Sequence, residues 1–145
     1  ATSAISAIAN TSAVVGFGSV VKAIPLFQSI LGVMLNIPGP ALLGAAIAVT
    51  VICGLTGSAS GGLGIAVPMC ADLFIPMGVS AEAIHRIAAV SSSALDSLPH
   101  NGFVNTCLQY CETNHKESYF DAFIVTVVIT TAELALVVAM FSIMG

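Results

Sequence analysis

Charge is what this chain has least of. Of 145 residues, 7% are charged, against 57% that are hydrophobic. A soluble domain of ordinary composition carries about 25% charge and about 45–50% apolar residues. Ten charged side chains do not cover a water-facing surface of this size, and mean hydropathy is +1.05. The same scarcity excludes disorder, which needs high charge and low hydrophobicity. Basic residues are scarcer still: only Lys22, Arg86 and Lys116, with a formal net charge of −4. That leaves no footprint for a phosphate backbone, so no nucleic-acid partner is expected. Tryptophan is absent, no C-x-x-C pair occurs and no His stands at zinc-finger spacing. No metal or other cofactor is expected. The four cysteines, Cys53, Cys70, Cys107 and Cys111, sit in apolar stretches and read as buried reduced thiols. The beginning lacks an initiator Met and a basic region, so it does not read as a signal peptide. It starts in mid-pattern, as a fragment would.

What is present is apolar sequence in long runs. No charged residue stands between Ala23 and Ala71, residues 1–21 carry none, and Glu133 is alone from Ala122 to Gly145. A helix needs about 20 apolar residues to cross about 30 Å of hydrocarbon. The fold class implied is all-α: a polytopic membrane protein with transmembrane helices, treated as one domain over 1–145. The lipid bilayer is its first expected partner. Three scattered basic residues leave the positive-inside rule without power to orient it.

The runs are interrupted in informative ways. Asn10-Thr11-Ser12 divides residues 1–22 into two short apolar arms. This favours a re-entrant hairpin with Asn10 and Thr11 at its tip; a single Ser-rich spanning helix is the alternative. Pro25 and Pro38-Gly39-Pro40 isolate a short segment, and a strongly apolar helix starts at Ala41, just after a proline. Then Gly57-Ser58-Ala59-Ser60-Gly61-Gly62-Leu63-Gly64 puts four glycines and two serines in eight residues. Each glycine disfavours helix by about 1 kcal/mol relative to alanine. A broken helix near the membrane midplane is the preferred reading. Close helix packing through Gly57-x-x-x-Gly61 and a plain external loop are the alternatives. Ser80 with Glu82 marks a helix start, and Asn114 with Glu117 resembles a capping box opening a long final helix.

The densest polar cluster is Leu95-Asp96-Ser97-Leu98-Pro99-His100-Asn101-Gly102. Pro99 breaks helix there. Asp96 and His100, flanked by apolar sequence, are candidates for proton exchange near neutral pH. Asn101 is a candidate hydrogen-bond donor to a carboxylate or hydroxyl ligand. A solvated external loop is the competing reading. His85-Arg86 offers the central positive charge, either for an anionic substrate or as an interfacial anchor. No residue is assigned a catalytic role. Gly57-Ser58-Ala59-Ser60-Gly61 puts Ala59 where a hydrolase nucleophile would stand.

Ala9-Asn10-Thr11, Val15-Gly16-Phe17-Gly18, the Thr56–Gly64 string, His85-Arg86, the Leu95–Gly102 string and Thr113–Tyr119 follow one another in this order. In this the whole chain resembles the C-terminal part of the gluconate permease family of proton symporters, which includes D-3-hydroxybutyrate permeases. The resemblance implies a longer multi-pass protein of the bacterial inner membrane, built from inverted repeats with re-entrant hairpins. It implies symport of a small hydroxy- or sugar-acid anion with a proton, and one repeat at most within these residues. Asn10 and Thr11 would form a carboxylate-binding tip, with Ala9 where the wider group has Ser. Gly57, Ser58, Ser60 and Gly61 would form the second binding break, and a homo-oligomer is possible. An intramembrane hydrolase using Ser58 or Ser60 and a non-transporting membrane subunit are the alternative functions. Glu133 receives no role from the resemblance.

Overall fold

The computed structural model describes residues 38–144 and, before them, positions 12, 16, 20, 23–25, 29, 32 and 33. The expected hairpin tip at Asn10 and Thr11 lies outside the described residues. So does most of the short segment before Pro38.

Helix α1 (Ala41–Thr56) starts after Pro40, whose extended backbone leads directly into the first turn. It ends at Gly57, which takes the left-handed conformation at φ 59°. The Gly57 N–H bonds to Gly54 O and the Ser58 N–H to Cys53 O, each at 3.3 Å. This is the Schellman closure that glycine favours. Ser58 then caps the next helix, α2 (Ala59–Phe74), its hydroxyl accepting from the Gly61 N–H at 3.2 Å. One helix is ended and another begun within two residues.

The two arms fold back on each other. Gly62 lies against the Cys53 backbone so closely that a Cβ there would fall 2.6 Å from Cys53 Cα. Residues 40–42 and 78–80 line one cavity at the other end, so both arms return to a common base. The interruption expected at 57–64 is therefore a hairpin tip at Gly57 and Ser58, not a break in one through-going helix. Gly61 and Gly62 lie inside α2, buried, where glycine lets two backbones approach. At 16 residues each, the arms are about 24 Å long, short of the roughly 30 Å of hydrocarbon. Their seam joins Val49, Ile52, Cys53, Ile65, Ala66, Met69 and Cys70.

At the base, Gly78 (φ 91°) and Val79 close α2 as Gly57 and Ser58 close α1. Ser80 caps α3 (Ala81–Ala94) through the Ala83 N–H. This helix packs on both arms and climbs to the tip, where Leu95 meets Gly54. The chain is irregular over 95–101. Then α4 (Gly102–Tyr110) begins, exposed along most of its length. Cys107 on it and Cys111 beyond it are exposed, contrary to expectation, because α4 makes little contact with the other described helices. Cys53 and Cys70 are buried, and all four thiols are free.

The final helix is long. It runs through α5 (His115–Phe123), a π turn (Ile124–Val128) and α6 (Ile129–Met144). Asn114 caps it, accepting from the Lys116 and Glu117 N–H groups. Glu117 does not reach back to the cap backbone; it accepts from the Thr113 hydroxyl instead. The 29 residues His115–Ile143 are long and apolar enough to cross a membrane, the one such helix among the described residues. Leu134 and Val138 bury this helix against Ala46, Ile87 and Ala94 of α1 and α3. All elements among the described residues are helical.

Candidate functional site

The hairpin tip and the irregular 95–101 segment meet. Gly57, Ser58, Ala59 and Ser60 from the tip share a cavity of about 440 Å³ with Asp96, Asn101 and Gly102. Two strings separated by almost 40 residues are thus brought together.

Asn101 is the fastener. It is 4% exposed. Its side-chain nitrogen stands 2.7 Å from Gly57 O, 2.6 Å from Asp96 O and 3.0 Å from Asp96 Oδ1. Its Oδ1 accepts from the Val104 N–H at 3.2 Å, which caps α4. One residue therefore ties the hairpin tip, the carboxylate of Asp96 and the start of α4. Asn105 reinforces the turn, donating to Asn101 O at 2.9 Å.

His100 goes elsewhere. Its Nε2 lies 2.9 Å from Gly54 O. A carbonyl only accepts, so this nitrogen carries the proton and caps the end of α1. The ring also lies over Gly57. Asp96 and His100, expected to act as a pair, do not bond each other: Asp96 faces the cavity and His100 the end of α1.

Two helices begin at the cavity, α2 behind Ser58 and α4 behind Asn101. Their first amides and dipoles give it positive potential, worth about 0.3–1 kcal/mol per helix for an exposed anion. Ser58 and Ser60 add hydroxyls 3.4 Å apart. Gly61, buried, donates its N–H to Ser58 Oγ and does not itself line the cavity. The cavity thus combines anion-attracting amides with one ionisable carboxylate.

Two residues that the sequence reading missed hold the loop from outside. Tyr119 donates its hydroxyl to Ser97 O at 2.9 Å, and His115 Nε2 meets Pro99 O at 3.0 Å. The rings of His115 and Tyr119 are 5.7 Å apart. Only their place in the Thr113–Tyr119 string hinted at them. His85 and Arg86 lie on α3 toward the opposite end, exposed. Arg86 pairs with Glu82 and sits 6.0 Å over the Phe141 ring, so neither contributes to this cavity. Asn10 and Thr11 lie outside the described residues.

No family model matches the chain, and no solved structure matches it. It is 35% identical over 146 residues to the uncharacterized transporter YxjC of Bacillus subtilis (strain 168). The match covers 98% of this chain and 31% of that protein, so the chain spans less than a third of the relative's length. The likeness is thus to part of a protein named as a transporter. With the apolar helix at 115–143, it also supports a membrane location.

Proposed function

We propose that the chain is part of a proton-coupled secondary transporter that carries small hydroxy- or sugar-acid anions, such as gluconate or 3-hydroxybutyrate, across the bacterial inner membrane. In this reading it belongs to one half of a multi-pass, inverted-repeat protein. The observation that carries the reading is the sharing of one cavity by the Gly57–Ser60 tip, two helix starts and Asp96.

The electrostatics favour coupled binding. At an effective dielectric of about 20, two unit charges 4 Å apart repel by about 4 kcal/mol. Two helix N-termini offset only about 1 kcal/mol each. A substrate carboxylate beside ionised Asp96 is therefore disfavoured. Protonated Asp96 removes the repulsion and becomes a donor to the substrate. Anion and proton then bind together, and the doubly loaded site is the state that favours passage across the membrane. Ser58 and Ser60 supply polar contacts for the carboxylate and hydroxyl groups, Asn101 holds the tip and the Asp96 loop in place around them, and Asn10-Thr11 supplies a further tip. Asp96 takes the proton role in preference to His100, which is engaged with Gly54 O.

The test uses the full-length protein in proteoliposomes. Labelled gluconate and labelled D-3-hydroxybutyrate are offered under an inward proton gradient and with the gradient collapsed. Gradient-dependent uptake of either is expected; equal uptake with and without the gradient would remove proton coupling.

A further inference from the structure

Glu133 is absorbed neither by the cavity nor by the packing of the described helices. It stands in the apolar 129–144 stretch, about 15 Å along the helix from Phe123. It is exposed, and no hydrogen bond or ion pair reaches it among the described residues. At 100° per residue, the buried line of this helix runs through Val127, Leu134 and Val138, and Glu133 stands about 120° from it. Ile129, Leu136 and Met140 flank it on the same side, 55%, 67% and 58% exposed. The described cations offer no partner. Arg86 is held by Glu82 near Phe141, and Lys116 is 17 residues upstream, about 25 Å along the axis.

A carboxylate at this depth of a spanning helix is among the costliest side chains to leave in hydrocarbon. Such groups face protein or water and find a partner. Almost 70% of the length of the relative YxjC lies outside the match, ample for further spanning helices. We propose that the Glu133 face of the long helix is an interface with another transmembrane helix of the same protein. That helix brings a hydrogen-bond donor or a cation to Glu133. Ile129, Leu136 and Met140 supply the apolar contact around the polar centre. Interhelical contacts of this kind hold spanning helices together where burial from water gives no driving force. The proposal concerns packing and does not depend on the identity of the substrate or the coupling ion.

The test uses the full-length protein in lipid bilayers, with accessible cysteines, Cys107 and Cys111 among them, replaced by serine. A nitroxide is attached through Met140→Cys, and its collision rate with oxygen is compared with that of a lipid-borne nitroxide at the same depth. Unfolding midpoints are measured for Glu133→Gln and Glu133→Leu. The expected result is a label shielded several-fold from oxygen, a midpoint kept by Glu133→Gln and a midpoint lowered by Glu133→Leu. A label as accessible as the lipid probe, or a midpoint raised by Glu133→Leu, would show a lipid-facing surface and overturn the proposal. Disulfide cross-linking between two copies through Met140→Cys would identify a second copy as the occupant and overturn it equally. If Glu133→Leu does not fold, the Met140 label still decides.

Discussion

The side-chain nitrogen of Asn101 lies 2.7 Å from the carbonyl oxygen of Gly57, joining the turn before α4 to the tip of the α1–α2 hairpin. With His100 and Leu95 on Gly54, this contact brings the Gly57–Ser60 tip and the Asp96 loop together around the cavity. Asn101→Leu keeps the volume but strands Gly57 O, and it removes the cap from Val104 N–H. Each buried polar group left without a partner costs about 1–3 kcal/mol. A lowered unfolding midpoint in detergent and lost substrate binding are expected together. An unchanged midpoint would show that the tip and loop are held by other contacts.

Gly62 and Gly102 give opposite results with the same substitution. A Cβ at Gly62 would fall 2.4 Å from Cys53 Sγ and 2.6 Å from Cys53 Cα, so Gly62→Ala pries the hairpin arms apart. A destabilisation of at least about 1–3 kcal/mol is expected, as for overpacking in a tight core. At Gly102, which lines the cavity, a Cβ meets no atom within 4 Å. Gly102→Ala is expected to keep the unfolding midpoint and weaken substrate binding. Thermal unfolding with and without substrate separates the two.

His100 is expected to act through position. His100→Gln offers an amide N–H to Gly54 O in place of the imidazole, whereas His100→Ala offers none. Gradient-driven uptake should survive in the first and fall in the second, with the unfolding midpoint following the same order. Loss of gradient-driven uptake in His100→Gln with exchange intact would transfer the proton role to His100.

Much of the local structure is legible in the sequence. Pro40 before α1, Ser80 before α3 and Asn114 before the final helix each mark a start that the structure keeps. The fold-back at Gly57 and Ser58 is not legible. A glycine-rich segment between apolar flanks reads the same for a kinked through-helix and for a hairpin. What separates them is the approach of Gly62 to Cys53, a tertiary fact. The different surroundings of Asp96 and His100 were equally illegible: the irregular 95–101 segment turns one toward the cavity and the other toward the Gly54 carbonyl. The bonds from Tyr119 and His115 to Ser97 and Pro99 join residues 22 and 16 positions apart, beyond any local pattern.

Glu112 shows a third limit. It takes φ 51° where Gly57 and Gly78 do the same work at the ends of α1 and α2. Nothing in its side chain announces that turn. A non-glycine residue in this conformation costs about 1–2 kcal/mol. Glu112→Gly is therefore expected to raise stability by up to about 1 kcal/mol, read as a higher unfolding midpoint. A lower midpoint would mean that the Glu112 side chain contributes more than its backbone strain costs.

The most direct test of the account is Asp96→Asn in proteoliposomes, followed by two assays of one preparation. The first is accumulation of labelled substrate under an inward proton gradient; the second is exchange of labelled for unlabelled substrate with no gradient. Asparagine keeps the size and hydrogen bonding of protonated Asp96 and cannot release a proton. The expected result is accumulation no greater than with the gradient collapsed, with exchange retained. Accumulation that still follows the gradient in Asp96→Asn would contradict the proposal that this carboxylate carries the proton.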